Sequence, residues 1–112
     1  MLIYKIFRPA EWQALSSDGR TDGAPVDLAD GYIHFSTAEQ AQETAAKHFA
    51  GAGELVLAAV DADRLGESLR WEPSRGGALF PHLYRPLELT DVLWHRPLPE
   101  RDGQHHFPAE MT

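Results

Sequence analysis

The chain has 112 residues, 43% hydrophobic and 24% charged, which fits one globular domain with a real core. A formal net charge of −7 without any Lys/Arg cluster argues against general nucleic-acid binding, although a few arginines suffice to hold one small anion. The lack of cysteine excludes disulfides, thiolate nucleophiles and Cys-ligated zinc. No apolar run approaches the roughly 20 residues of a membrane span, and the N-terminus lacks a signal-peptide pattern, so the expectation is a cytoplasmic protein with no membrane partner.

In chain order, "LIYKIF" (2–7) reads as a first strand, rich in β-branched and aromatic residues. Pro9 suits the first turn of a helix, with Trp12 and Leu15 inward, and "SSDGRTDGAP" (16–25) is turn chemistry that ends it. "GYIHFS" (31–36) is predicted as the second strand. Ser36, with Glu39 three residues on, predicts a capping box for a second helix carrying Ala38, Ala41, Ala45 and Phe49 on one stripe. "ELVLAAV" (54–60) is apolar on both faces and reads as a central buried strand. "LRWEP" (69–73), "LFPHLYRPL" (79–87) and "LTDVLWHRPL" (89–98) supply the remaining strands, the middle one suited to a sheet edge by its prolines. Residues 99–112 are predicted as a polar, loosely ordered tail, leaving 1–98 as the domain. Several strands follow one another without helices, so the fold class is α+β, a mostly antiparallel or mixed sheet with two main helices.

Strand alternation places Tyr32, His34 and Ser36 on one face of the second strand, and Phe80, His82 and Tyr84 on one face of "FPHLY". If those faces meet, they form an aromatic, polar cleft able to stack a planar ring and hydrogen-bond it through imidazole. The bland alternative is a pair of structural histidines. Arg70, Arg75 and Arg85 lie nearby, and a guanidinium fork suits phosphate or carboxylate. The Gly pair in "SRGGA" (74–78) offers backbone N–H groups for phosphate but matches no phosphate-loop fingerprint. Glu72 shares a face with Arg70 and reads either as a base or ribose acceptor, or as an exposed strand carboxylate. The histidines show no metal-ligand spacing, and no native metal site is expected. No G-x-S-x-G elbow occurs.

"IYKI", "GYIHFST", "LVLAAVDADRLG", "LRWEPS" and "LFPHLYRPL" occur in an order that closely resembles the bacterial domain-of-unknown-function family 952, from Leu2 to about Leu98. That family's fold is grouped with the ADP-ribosyltransferases, which implies a split, antiparallel-rich sheet around a cleft that holds NAD in related enzymes. The resemblance places Lys5 where a His or Arg usually contacts the cofactor, and Ser36 and Thr37 on the second cofactor-contacting strand. It places His82 near the usual position of a catalytic Glu, so both positions depart from the transferase pattern. The resulting expectation is a nucleotide-sized cleft binding or acting on NAD or an ADP-ribose-containing ligand. His34 and His82 would be the catalytic candidates, with Lys5, Tyr32, Ser36, Thr37, Trp71, Glu72, Phe80, Tyr84 and Arg85 as ligand-binding candidates. The alternative is a catalytically inert binding or protein-interaction module whose cleft is filled by its own side chains. The cofactor, the oligomeric state and the reaction are not readable from the sequence.

Overall fold

A computed structural model describes residues 1–111. Thr112 and the side chain of Arg75, one of the arginines weighed above, lie outside the described residues. In chain order the elements are β1 (Leu2–Phe7), α1 (Pro9–Asp18), β2 (Arg20–Thr21), α2 (Pro25–Asp30), β3 (Ile33–His34), α3 (Ala38–His48), β4 (Val56–Asp61), α4 (Ala62–Leu65), β5 (Leu69–Pro73), β6 (Leu79–Leu83), β7 (Leu87–Glu88), β8 (Val92–Pro97), β9 (Glu100–Arg101) and β10 (Gln104–His105). The chain is therefore α+β, and every strand pairing is antiparallel.

Two three-stranded sheets carry the structure, in the orders β1-β4-β8 and β3-β6-β5. The strand β4 is central, as its apolar run predicts. Val60 and Ala58 pair with Ile3 and Lys5, while Ala59 and Leu57 pair with Tyr4 and Ile6, and all four β4 residues are buried. One face of this sheet packs Ile3, Phe7, Ala58 and Val60 against Ile33, Phe35 and Leu83 of the second sheet and Leu15 of α1. The other face packs Tyr4, Ile6, Leu57 and Ala59 against Ala45 of α3 and Leu98. The two sheets meet at one isolated bridge: Tyr4 N–H donates to the Ser36 carbonyl (2.7 Å) and Ser36 N–H to the Tyr4 carbonyl (2.8 Å).

Three local expectations change. The second strand is regular only over Ile33–His34; beyond it the chain swings from β6, where Phe35 N–H bonds the Pro81 carbonyl, across to β1 at Ser36. Ser36 does not cap α3. Thr37 does, its hydroxyl accepting from Gln40 N–H (3.2 Å) while the Gln40 side chain accepts from Thr37 N–H (3.0 Å). The capping box thus lies one residue further on, and the Ser36 hydroxyl instead pairs with Thr44 (2.9 Å). The helix α2 was not expected. Pro25 starts it, Asp27 accepts Ala24 N–H in its first turn (2.8 Å), and Gly31 ends it at φ 89°, a conformation that suits glycine.

The end of the chain is not loose. The strands β9 and β10 form a hairpin, Phe107 and Met111 pack on the second core face, Gly51 N–H donates to Glu100 (2.9 Å), and Arg96 pairs with Glu110 (2.9 Å). The composition of residues 99–111 hid two apolar anchors among polar neighbours.

Candidate functional site

The register of the second sheet sets His34 directly opposite His82, and His82 opposite Arg70. Directly opposed residues share a face, so the parity argument places the two imidazoles together, and their ring centroids lie 5.4 Å apart. Tyr32 lies flat on His82, with centroids 4.1 Å apart and planes 13° apart, and it also touches His34 (4.7 Å) and Tyr84 (5.3 Å). The aromatic cluster expected from strand alternation is therefore present.

Beneath it sits Asp27, whose side chain is 0% exposed. Its Oδ1 accepts from His34 N–H (3.1 Å) and faces His34 Nδ1 (2.6 Å); its Oδ2 accepts from Ala24 N–H (2.8 Å) and pairs with Lys5 Nζ (3.0 Å). A carboxylate offers about four lone-pair directions, and these partners fill them. Burial raises the Asp27 pKa, but the His34 bond, the Lys5 charge and the two backbone amides together outweigh it and hold it at about 2. Lys5 is buried with it and also donates to the His34 carbonyl (3.2 Å). The outer nitrogen of His34, Nε2, lies 3.0 Å from Asp30. Both His34 contacts are hydrogen bonds only when each ring nitrogen carries a proton, because a carboxylate only accepts.

His82 is held differently. Its Nδ1 lies 2.9 Å from Glu72 Oε1, which also accepts the Tyr84 hydroxyl (2.7 Å). The Tyr84 bond first and the His82 bond second lower the Glu72 pKa, and the same Glu72 bond raises that of Tyr84. With Glu72 ionised and accepting only, Nδ1 carries the proton of that bond. The ring's Nε2 is closed off from solvent and has no hydrogen-bond partner among the described residues. Such an unspent buried group costs about 1–3 kcal/mol.

A cavity of about 560 Å³ lies beside β1, bordered by both residues of the Tyr4–Ser36 bridge. Lys5, Ile6 and Arg8 line it from the β1 side; Ala41, Thr44, His48 and Phe49 from α3; Ala24 to Asp27 and Asp30 from α2; and His34, Phe35, Ser36, Phe80 and His82 from the second sheet. Its size suits a small-molecule ligand. A second cavity of about 220 Å³ holds Tyr32, Tyr84 and Arg85, and Asp27 borders both.

The structure thus gathers Lys5, His34, Ser36, Phe80 and His82 around the larger cavity, with Glu72 bonded behind His82. Tyr32 and Tyr84 face the smaller one. Thr37 is spent as a helix cap, and Trp71 pairs with Pro81 on the opposite face of the sheet from His82. Arg85 is tied to Asp91 through two hydrogen bonds (3.0 and 3.2 Å) and to the Pro86 carbonyl. Arg70 lies over the Tyr84 ring (4.9 Å). The Gly-rich connection closes on itself, Ser74 N–H bonding the Ala78 carbonyl and Gly77 N–H the Ser74 carbonyl. Sequence reasoning missed Asp27, Asp30, Arg8 and His48. The signal for Asp27 was available: "APVD" carries Pro at a first helical position and Asp two residues on, a helix start. Among the described residues no three His, Asp or Glu side chains converge to hold a metal, and no helix is long and apolar enough to cross a membrane.

A family model described as protein of unknown function (DUF952) matches residues 6–95. The chain belongs to this family. The match spans all of β3, β4, β5, β6 and β7 and most of β8, so Asp27, Tyr32, His34, Glu72, His82 and Tyr84 lie inside it, with Lys5 one residue before its start. The crystal structure of protein CC0527 from Caulobacter crescentus is similar at 57% identity and a TM-score of 0.90, covering 95% of this chain and 94% of that one. A solution NMR structure of the same protein gives 57% identity and a TM-score of 0.84, covering 93% and 90%. No curated protein matches the chain.

Proposed function

We propose that this family member binds a nucleotide-sized, ring-bearing ligand in the cavity beside β1, with NAD and ADP-ribose-containing molecules as the first candidates. The observation that carries this reading is the cavity itself: about 560 Å³, lined by the apolar Ile6, Phe35, Phe49 and Phe80 together with polar groups that include Lys5, Asp27, His34 and His82. Apolar walls with a few convergent polar groups are the usual build of a ligand site. Two antiparallel sheets parted beside a cleft agree with the ADP-ribosyltransferase-like architecture that the family resemblance implies. Within this reading His34 and His82 contact the ligand, and Lys5 and Asp27 hold the His34 segment in place.

The inert alternative, a binding or protein-interaction module, draws support from how these groups are held: Lys5 is paired with Asp27, both nitrogens of His34 face carboxylates, and His82 is buried with Nδ1 on Glu72 and Nε2 closed off from solvent. A thermal-shift series with NAD, ADP-ribose, nucleotides and nucleosides separates the two. A ligand at about a hundred times its dissociation constant adds roughly 2.7 kcal/mol of stability. A shift that disappears in Phe80→Ala supports the cavity; no shift with any of them favours the inert module.

A further inference from the structure

We propose that Arg8 is the anion-binding residue of the larger cavity, taking the phosphate of a nucleotide-type ligand at the mouth while the uncharged part of that ligand lies inside. This rests on the ligand-binding reading above and adds to it the residue that selects for phosphate.

Among the described residues the arginines and lysines near the cavity are few, and most are committed. Lys5 is 8% exposed and ion-paired to Asp27, so drawing it toward a ligand would strand a buried carboxylate. The guanidinium of Arg85 is spent on Asp91 and the Pro86 carbonyl, and it faces the smaller cavity. Arg70 is stacked over Tyr84 and does not line the larger cavity. Arg8 lines it, is exposed, and has no carboxylate within ion-pair distance of its guanidinium among the described residues. The guanidinium lies over the Phe49 ring, 4.7 Å from its centroid, and Phe49 lines the same cavity.

The backbone presets this position. Arg8 precedes Pro9, which restricts it to extended conformations, and it sits at φ −73°, ψ 155° as the residue before α1. Its own N–H is held by Glu11 Oε1 at 2.9 Å. Stacking then orients the planar side chain through its face, which leaves the N–H fork at its edge for a two-pronged acceptor. Phosphate oxygens match that fork. Among the described residues three carboxylates line the cavity: Asp27 and Asp30 are turned toward Lys5 and His34, and Glu11, beside Arg8, accepts the Arg8 backbone N–H. The protein's overall negative charge opposes an incoming anion, so the local guanidinium must supply the attraction.

The test uses three probes, adenosine, ADP and inorganic pyrophosphate, titrated into the unaltered chain and into Arg8→Gln at low ionic strength. Affinities and amide shifts are read by nitrogen–proton NMR, which also reports whether the exposed substitution leaves the fold intact. The expected result is that ADP binds about tenfold or more tighter than adenosine. Added salt should erase that advantage, and Arg8→Gln should erase it while leaving adenosine unchanged. Pyrophosphate should shift the amides of Arg8, Glu11 and Phe49 in the unaltered chain only. If adenosine binds but ADP gains nothing, or if Arg8→Gln keeps the full gain, the Arg8 assignment is overturned while the cavity reading stands. If adenosine does not bind, the cavity reading fails and the pyrophosphate arm alone decides Arg8: shifts lost in Arg8→Gln retain it as an anion site, and unchanged shifts remove it.

Discussion

Asp27 joins helix start, ion pair and histidine orientation in one side chain. Replacing it with Asn keeps the shape but removes the charge and puts an NH2 donor group in place of one accepting oxygen, against either His34 or Lys5 and Ala24, leaving a buried ammonium uncompensated. Asp27→Asn should cost about 3–5 kcal/mol in chemical denaturation. The same residue sets an acid response. Its folded pKa of about 2 lies below the ordinary 3.8, so the contribution is fully present at pH values above 3.8 and lost as pH falls from there through 2. That depression is worth about 2 kcal/mol. Stability measured between pH 5 and pH 2 should fall more steeply in the unaltered chain than in Asp27→Asn; parallel curves would contradict the assignment. Gly23 protects this residue. A Cβ there would sit 2.5 Å from Asp27 Cβ and 2.7 Å from Oδ2, at a φ of 114° that side chains rarely adopt. Gly23→Ala should therefore both destabilise the fold and displace the His34 ring signals in NMR, whereas Gly19→Ala, with no atom within 4 Å of its Cβ, should move neither ring.

At the scale of elements, the two hydroxyls at the start of α3 have exchanged the roles that sequence spacing suggests. Thr37→Ala should cost about 1 kcal/mol through the lost cap. Ser36→Ala should leave helix stability unchanged and show itself only in the cavity, where its bond to Thr44 lies. Equal losses from both substitutions would count against this division. The spacing Ser36-x-x-Glu39 and the spacing Thr37-x-x-Gln40 are both capping patterns, and local sequence does not choose between them. The choice is made by the Tyr4–Ser36 bridge, which holds Ser36 in extended pairing with β1 and passes the cap to the next residue. The strands β1 and β4, dense in β-branched or apolar residues, were legible to within a residue or two, and so was the short β5 closed by Pro73. Strand parity also grouped each histidine with its own aromatic neighbours, but that the two faces meet rests on the β3–β6 register, which parity does not supply. The helix α2 was read past because its six residues lie between glycines and carry no apolar stripe; Val26 and Leu28 are exposed and its buried residue is the charged Asp27. Two carboxylates of the polar site, Asp27 and Asp30, thus sit on the element that periodicity was least able to find.

At the scale of the molecule, the end of the chain belongs to the core's second face. Truncation after Leu98 removes Phe107, Met111 and the Glu100 bond to Gly51, and should lower stability by about 2 kcal/mol from the lost apolar burial. In a chain of this size that corresponds to a fall in melting temperature of about 8 °C; an unchanged melting temperature would show that the hairpin only rests on the surface. The joint between the two sheets has a separate consequence. Side-chain packing spans the joint broadly, but among the described residues the paired backbone crosses it only at Tyr4 and Ser36. The two sheets can therefore behave as separate cooperative units that open before either unravels. The amide protons of Tyr4 and Ser36 should exchange with deuterium together, and sooner than those of Leu57, Ala59 and Val60 in the middle of β4. Anything that settles into the adjoining cavity would slow that pair first, so the exchange rate of two amides gauges occupancy whatever the occupant is.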